Sequence, residues 1–182
     1  MRHALGLAQE VQQSLLPQSD PLLPGFDIAG KSIYCDETGG DYYDFIETKK
    51  EGRDGLVVVV GDVSGHGVSS ALLMATARAL IMLRASMPGE AAGVISDVNR
   101  YLSLDTEQTG NFMTFFYSEL MELGTEVRWV RAGHDPAIVY DPLMDAFDEL
   151  KGQGVPLGFD DSIEYDSFQR SIEPGQVIVI GT

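Results

Sequence analysis

The sequence predicts a single α+β domain in which the strands are mostly antiparallel, and three observations lead there. The chain has 182 residues, of which 44% are hydrophobic and 22% charged. That is enough for one packed core, too short for two full domains, and unlike a disordered or collagen-like chain. β-rich segments follow one another across short turns, as hairpins do, rather than across the long crossovers that parallel strands need. Two helical segments stand side by side in mid-sequence instead of alternating with the strands.

Over residues 4–16, Leu5, Ala8, Val11 and Leu15 recur at helical spacing until Pro17 stops the pattern, predicting an amphipathic helix. It begins without a capping residue, so it reads either as a core-packing helix or as the end of a linker from an upstream sensor or receiver domain. Pro17, Pro21, Pro24 and Gly25 punctuate a loop, and residues 26–34 then alternate as a strand should. A second strand is expected over 43–48, a hairpin turn over 51–55 and a buried strand over the apolar run 56–60. The stretch 69–83 is too long for a strand and rich in Ala, Leu and Met, hence a helix. Pro88 opens another, with Ala91, Val94, Ile95, Val98 and Leu102 on one face. Strands are expected over 113–120 and 126–132, joined by a turn containing Gly124, and over 137–140, 163–170 and 177–180. There is no internal repeat or low-complexity segment.

Twelve Lys and Arg against 28 Asp and Glu leave a formal charge of −16, which repels nucleic acid and anionic membrane surfaces at long range. No apolar run reaches the roughly 18–20 residues of a membrane span. The longest candidate, 68–83, is interrupted by Ser69, Ser70, Thr76 and Arg78. No secretion signal opens the chain. The single cysteine, Cys35, allows neither an internal disulfide nor a multi-thiolate metal site. These features lead us to expect a soluble cytoplasmic domain with no membrane span and no nucleic-acid partner.

Two Gly-rich segments each carry a carboxylate: Gly39-Gly40-Asp41-Tyr42-Tyr43-Asp44, and Gly61-Asp62-Val63-Ser64-Gly65-His66-Gly67 after the 56–60 run. Glycines permit a close approach to the main chain that a side chain would block. The second segment is neither a dinucleotide fingerprint nor a P-loop, because the glycine spacing is wrong and Gly-Lys-Ser/Thr is absent. A nucleotide-binding domain therefore fails on loop pattern. A bare Asp62 carboxylate would repel phosphate unless a divalent cation lay between them. Hard cations such as Mg²⁺ or Mn²⁺ take carboxylates, backbone carbonyls and waters, and Asp41, Asp62 and the carbonyl of Val63 suit that chemistry. The residue types equally allow Asp41 as an Asx-turn residue and Asp62 as a helix N-cap. His66 and His134 sit in turns where backbone bonding is the ordinary role, and no H-E-x-x-H pair suggests zinc. Tyr42 and Tyr43 read as core or strand residues, Met74, Met82 and Met87 as packing, and Asp135, Asp141, Asp145, Asp160 and Asp161 as a solvated acidic surface.

The chain resembles the metal-dependent PPM-type serine/threonine phosphatases, in the SpoIIE-like bacterial branch that includes stress-response regulator phosphatases. Five segments carry the resemblance in order: residues 10–17 (Glu-Val-Gln-Gln-Ser-Leu-Leu-Pro), 39–44, 61–67, Ala132-Gly133-His134-Asp135-Pro136 and Pro156-Leu157-Gly158. The resemblance implies an αββα sandwich of two antiparallel sheets flanked by helices. It implies metal ligation by Asp41, Asp62 and the Val63 carbonyl, with two Mn²⁺ or Mg²⁺ ions activating a water that attacks phosphorus in line. It divides the chain into a linker or regulatory helix over 1–17 and a phosphatase domain over 18–182. In the family, a strand like 177–180 continues into Thr-Asp-Gly, whose aspartate is a further ligand, and one more aspartate follows. Against that pattern the chain reads as truncated at Gly181-Thr182, with part of the metal site missing. Asp135 stands where the family usually has asparagine. The implied substrate is phosphoserine or phosphothreonine on a regulatory protein, typically an anti-sigma-factor antagonist. The N-terminal helix is the expected point of control by an upstream domain, possible through homodimerisation. The rival reading is a catalytically inactive phosphoprotein-binding module of the same fold.

Overall fold

In the computed structural model, residues 2–33, 38–50 and 52–182 are described. Cys35, Tyr34 of the expected 26–34 strand and the side chain of Leu5 lie outside those residues. The apolar run at 56–60 is the centre of a longer strand. Helix α1 spans Arg2–Leu15, strand β1 Tyr42–Lys50 and strand β2 Arg53–Val63. Lys50 pairs with Arg53 across the hairpin, where Gly52 has φ 81°, a conformation glycine adopts without penalty. Helices α2 (Val68–Ala85) and α3 (Ala91–Thr106) follow, then β3 (Met113–Met121), β4 (Glu126–Ala132), β5 (Ala137–Asp141), β6 (Ala146–Leu150), β7 (Phe168–Ser171) and β8 (Val177–Val179).

These strands form two antiparallel sheets, one in the order β1-β2-β3-β4-β7 and one in the order β6-β5-β8. Alternation of side chains gives the larger sheet two apolar faces. One face presents Tyr42, Ile46, Val57, Val59, Phe115, Tyr117 and Val130 to Met74, Ala77 and Ile81 of α2 and to Val94, Ile95, Val98 and Leu102 of α3. The other packs Phe116, Val127 and Trp129 against Ala137, Val139 and Leu150 of the smaller sheet. The layers are thus helices, sheet, sheet. The outer face of the smaller sheet leaves Ile138, Phe147, Val177 and Val179 exposed, and among the described residues no helix covers it.

Several expectations need correction. Residues 26–33 form no strand beyond a single Leu23–Phe26 bridge. Side chains satisfy this backbone instead: the Gly30 N–H donates to Asp20, and the Tyr43 hydroxyl donates to the Gly30 carbonyl. The strand expected over 163–170 is confined to Phe168–Ser171. β6 was not anticipated, because Asp148 and Glu149 break its apolar pattern. It is an edge strand with only Leu150 buried, and edges tolerate charge. Met74 is buried, but Met82 and Met87 are exposed rather than packed. In α1 the buried position is Gln12, 5% exposed, whereas Val11 is 61% exposed. The helix is rotated away from its apparent apolar stripe.

Helix α2 is long and apolar enough, by length and composition, to cross a membrane, which its interrupting Ser, Thr and Arg residues were expected to exclude. Its few Ser, Thr and Arg residues depress its mean hydropathy too little. Here it covers the core, and Arg78 on its flank donates to the buried Asp44 carboxylate of β1 at 3.1 Å. Asp44 also accepts from the Tyr42 hydroxyl at 3.1 Å and the Phe45 N–H at 2.9 Å. Replacing Arg78 by Ala removes the cation and leaves that carboxylate buried. Urea denaturation should show a loss of about 2–3 kcal/mol, and a loss below about 0.5 kcal/mol would mean that the pair does not hold α2 to β1.

Candidate metal centre

The β1–β2 register pairs Tyr42 with Gly61. Extended by one residue, it sets Asp41 opposite Asp62 at the end of the larger sheet. Asp62 follows Val58 and Val60 on the face turned away from the helices, and Asp41 precedes Tyr43 on the same face. The two carboxylates therefore share one corner. Asp41 and Asp62 are both exposed; partial desolvation first, and the Asp41 charge second, hold the Asp62 carboxyl above its usual range, as expected of an anion beside another anion.

Glycines bring the main chain into this corner. The Val63 N–H donates to the Gly40 carbonyl at 3.3 Å. A Cβ on Gly40 would lie 2.5 Å from the Val63 carbonyl oxygen, and one on Gly61 would lie 2.6 Å from the Phe115 ring. The two Gly-rich segments thus meet through their backbones, and the Val63 carbonyl lies beside the aspartate-bearing loop. Two carboxylates and a carbonyl suit a hard, oxygen-preferring divalent cation whose other ligands are waters. Among the described residues no group of three or more His, Cys, Asp or Glu side chains comes together as a metal cluster. Asp62 is not a side-chain N-cap, because α2 begins at Val68 with Gly67 at its cap and no side-chain cap bond.

His134 belongs to the same end of the fold, a role that its turn setting did not reveal. It is buried. Its Nε2 lies 3.2 Å from the Gly181 carbonyl and its Nδ1 lies 2.9 Å from the Thr114 hydroxyl. A carbonyl can only accept, so Nε2 carries the proton and Nδ1 accepts from Thr114. Thr114 is the β3 partner of Asp62, and Gly181 follows β8, so the imidazole ties the smaller sheet to the aspartate corner. Arg131 supports the turn by donating to the His134 carbonyl and, at 2.7 Å, to that of Gly152. His66, by contrast, is exposed. Asp135, Asp145, Asp160 and Asp161 are exposed and Asp141 is half-buried, as a solvated acidic surface requires. A groove of about 1020 Å³ between the sheets, lined by Tyr43, Phe45, Val58 and Ile178, reaches Asp41 and Gly181.

Burial pushes the His134 imidazole below its ordinary pKa, against smaller opposing effects of the Gly181 hydrogen bond and the Asp135 and Asp41 charges. The folded protein therefore binds fewer protons than the unfolded chain below about pH 6.5, and stability falls as pH drops through that value towards the folded pKa. Between about pH 7.5 and 5.5, urea denaturation at each pH should show the parent losing more stability than His134→Gln, and an equal loss would mean that His134 does not carry the effect.

Residues 52–182 match the family described as Stage II sporulation protein E (SpoIIE). Over 180 residues the chain is 26% identical to "Phosphoserine phosphatase RsbU" of Bacillus subtilis (strain 168), covering 99% of this chain and 52% of that protein. It thus spans about half the length of the curated relatives it matches. The "SiaA-PP2C domain of Pseudomonas aeruginosa" superposes with a TM-score of 0.73 at 20% identity, over 97% of this chain and 69% of that one. The structure of "the RsbU and RsbW domains of Rv1364c from Mycobacterium tuberculosis" gives 0.71 at 24% identity, over 90% and 45%. At those identities the likeness shows the PP2C fold. With two antiparallel sheets, the Gly-rich aspartate corner and a family match over most of its length, the chain belongs to the SpoIIE family of PPM-type phosphatases.

Proposed function

We propose that residues 18–182 are the catalytic domain of a metal-dependent phosphatase that removes phosphate from phosphoserine or phosphothreonine on a regulatory partner protein. The observation that carries this reading is the register that sets Asp41 opposite Asp62, with the Val63 carbonyl against Gly40, in a SpoIIE-family chain. Asp41, Asp62 and the Val63 carbonyl would hold the cations, Mn²⁺ or Mg²⁺, two in the complete site. Such cations supply the positive charge that acidifies a water and neutralises the phosphoryl oxygens. The chain's own part is to fix two carboxylates in one corner, to leave room at Gly40 for a backbone ligand, and to hold Gly181 beside them through His134. Residues 1–17 are the linker or regulatory helix through which an upstream sensor or receiver domain would act, and they offer a homodimer contact.

The relative named as a phosphoserine phosphatase supports the reaction class. The RsbW domain joined to a similar domain in a solved relative supports a partner from the same regulatory class, such as an anti-sigma-factor antagonist. A net charge of −16 favours a partner that docks with basic or apolar surface, and it fits a cytoplasmic setting. The absence of a third metal-ligating side chain in the corner, among the described residues, favours a second reading, a module that binds its phosphoprotein without hydrolysing it.

Hydrolysis of p-nitrophenyl phosphate by the full-length protein separates the two. Activity should require Mn²⁺, disappear with chelator and fall by about 100-fold or more in Asp62→Asn. The same substitution removes the like-charge repulsion with Asp41, so the metal-free variant should unfold at a higher temperature than the parent. Gly40→Ala, which drives a methyl group into the Val63 carbonyl, should weaken Mn²⁺ binding by about 10-fold or more in calorimetry. A folded parent with no Mn²⁺-dependent turnover would overturn the phosphatase reading in favour of the binding module.

A further inference from the structure

Gln12 is a polar residue buried in an otherwise exposed stretch of α1, and both ends of its amide are used at one place. Its Nε2 donates to the Gly39 carbonyl at 2.6 Å, and the Gly39 N–H donates to its Oε1 at 3.2 Å. Gly39 begins the segment that carries Asp41. Ladder pairing of β1 starts only at Tyr42, so no sheet hydrogen bonds hold residues 38–41. On the far side of Gly39, the Gly40 carbonyl accepts from the Val63 N–H at 3.3 Å. Among the described residues, the hydrogen bonds that hold this loop therefore run to Gln12 of α1 and to the backbone of Val63, beside the buried Thr38. Leu16, buried in the main core cluster, anchors the end of the same helix.

We propose that Gln12 is a positioning residue for the metal corner: through its two-way bond to Gly39 it makes the placement of Asp41, and hence cation affinity, depend on how α1 is docked. A glutamine that spans both backbone groups of one residue behaves like a ladder rung from outside the sheet. Without it the Gly39 N–H and carbonyl lose these partners, and among the described hydrogen bonds the loop bearing Asp41 keeps only the one from the Val63 side. Displacement of α1 by an upstream element would then reach the aspartate through one side chain. The inference rests on Asp41 and Asp62 being the cation ligands proposed above.

The test measures Mn²⁺ binding to the full-length protein by calorimetry, with hydrogen exchange of the Gly39 amide as a second readout that needs no metal. Gln12→Ala should weaken Mn²⁺ binding by about 10-fold or more, in the range of residues that orient metal ligands indirectly. It should also remove protection of the Gly39 amide, and its turnover should recover at high Mn²⁺ concentration. Leu102→Ala controls for plain destabilisation, since it empties core volume under α3 and leaves α1 and the amide bond in place; under conditions where it stays folded, its Mn²⁺ affinity should match the parent's. The inference is overturned if Gln12→Ala keeps parental affinity, or if Leu102→Ala loses as much. Loss of binding in Asp62→Asn beside unchanged binding in Gln12→Ala would sink this inference alone, whereas unchanged binding in Asp62→Asn, or no binding by the parent, would sink the metal-site reading and this inference with it.

Discussion

Everything at the candidate site depends on the register of the β1–β2 hairpin. Ile46, Val57 and Val59 face the helices from this pair of strands, and alternation places Asp41 and Asp62 together on the other side. A slip of one residue would turn the apolar set outward and part the two carboxylates in the same step. Hydrophobic burial against α2 and α3 thus determines which residues meet at the sheet's end. The chemistry there draws on core packing that involves neither aspartate.

Around that corner the fold holds its irregular segments with buried polar side chains rather than with ladders. Gln12 bonds to Gly39, His134 to Gly181 and Thr114, and Asp44 receives Arg78, Tyr42 and a backbone N–H. Each is nearly inaccessible to solvent and satisfied, as buried polar groups must be if they are not to cost stability. The centre of the sheet shows the opposite pattern, with Val59, Phe115 and Ile95 packed and no polar partner required. Stability comes mainly from the apolar layers, and precision at the loops comes from the few hydrogen bonds placed among them.

Two carboxylates facing each other are a local strain that packing must offset. Asp62 is held above its usual pKa by partial desolvation and by Asp41. The acidic surface as a whole adds to the same negative field, since the chain carries a net charge of −16.

Much of this was legible in the sequence. The 56–60 run, the two central helices and the hairpin turns are local signals of period and punctuation, and each became the element it suggested. The paired Gly-rich aspartate segments marked a place where main chain and carboxylates come together, because glycines beside acids mean close backbone and negative charge. Other features were not legible. Residues 26–33 alternate like a strand but lie by Tyr43 as a loop, since among the described residues no neighbouring strand pairs with them. The apolar stripe of α1 pointed to Val11, yet Gln12 is buried, because the loop at Gly39 presents two backbone groups that only a side-chain amide can satisfy together. His134 looked like a turn residue until β3 and the segment after β8 closed around it. Local sequence determined most of the regular elements and the residue types gathered at the corner; only the tertiary structure decided which polar groups lose their water, since that depends on residues distant in the chain arriving at the same place.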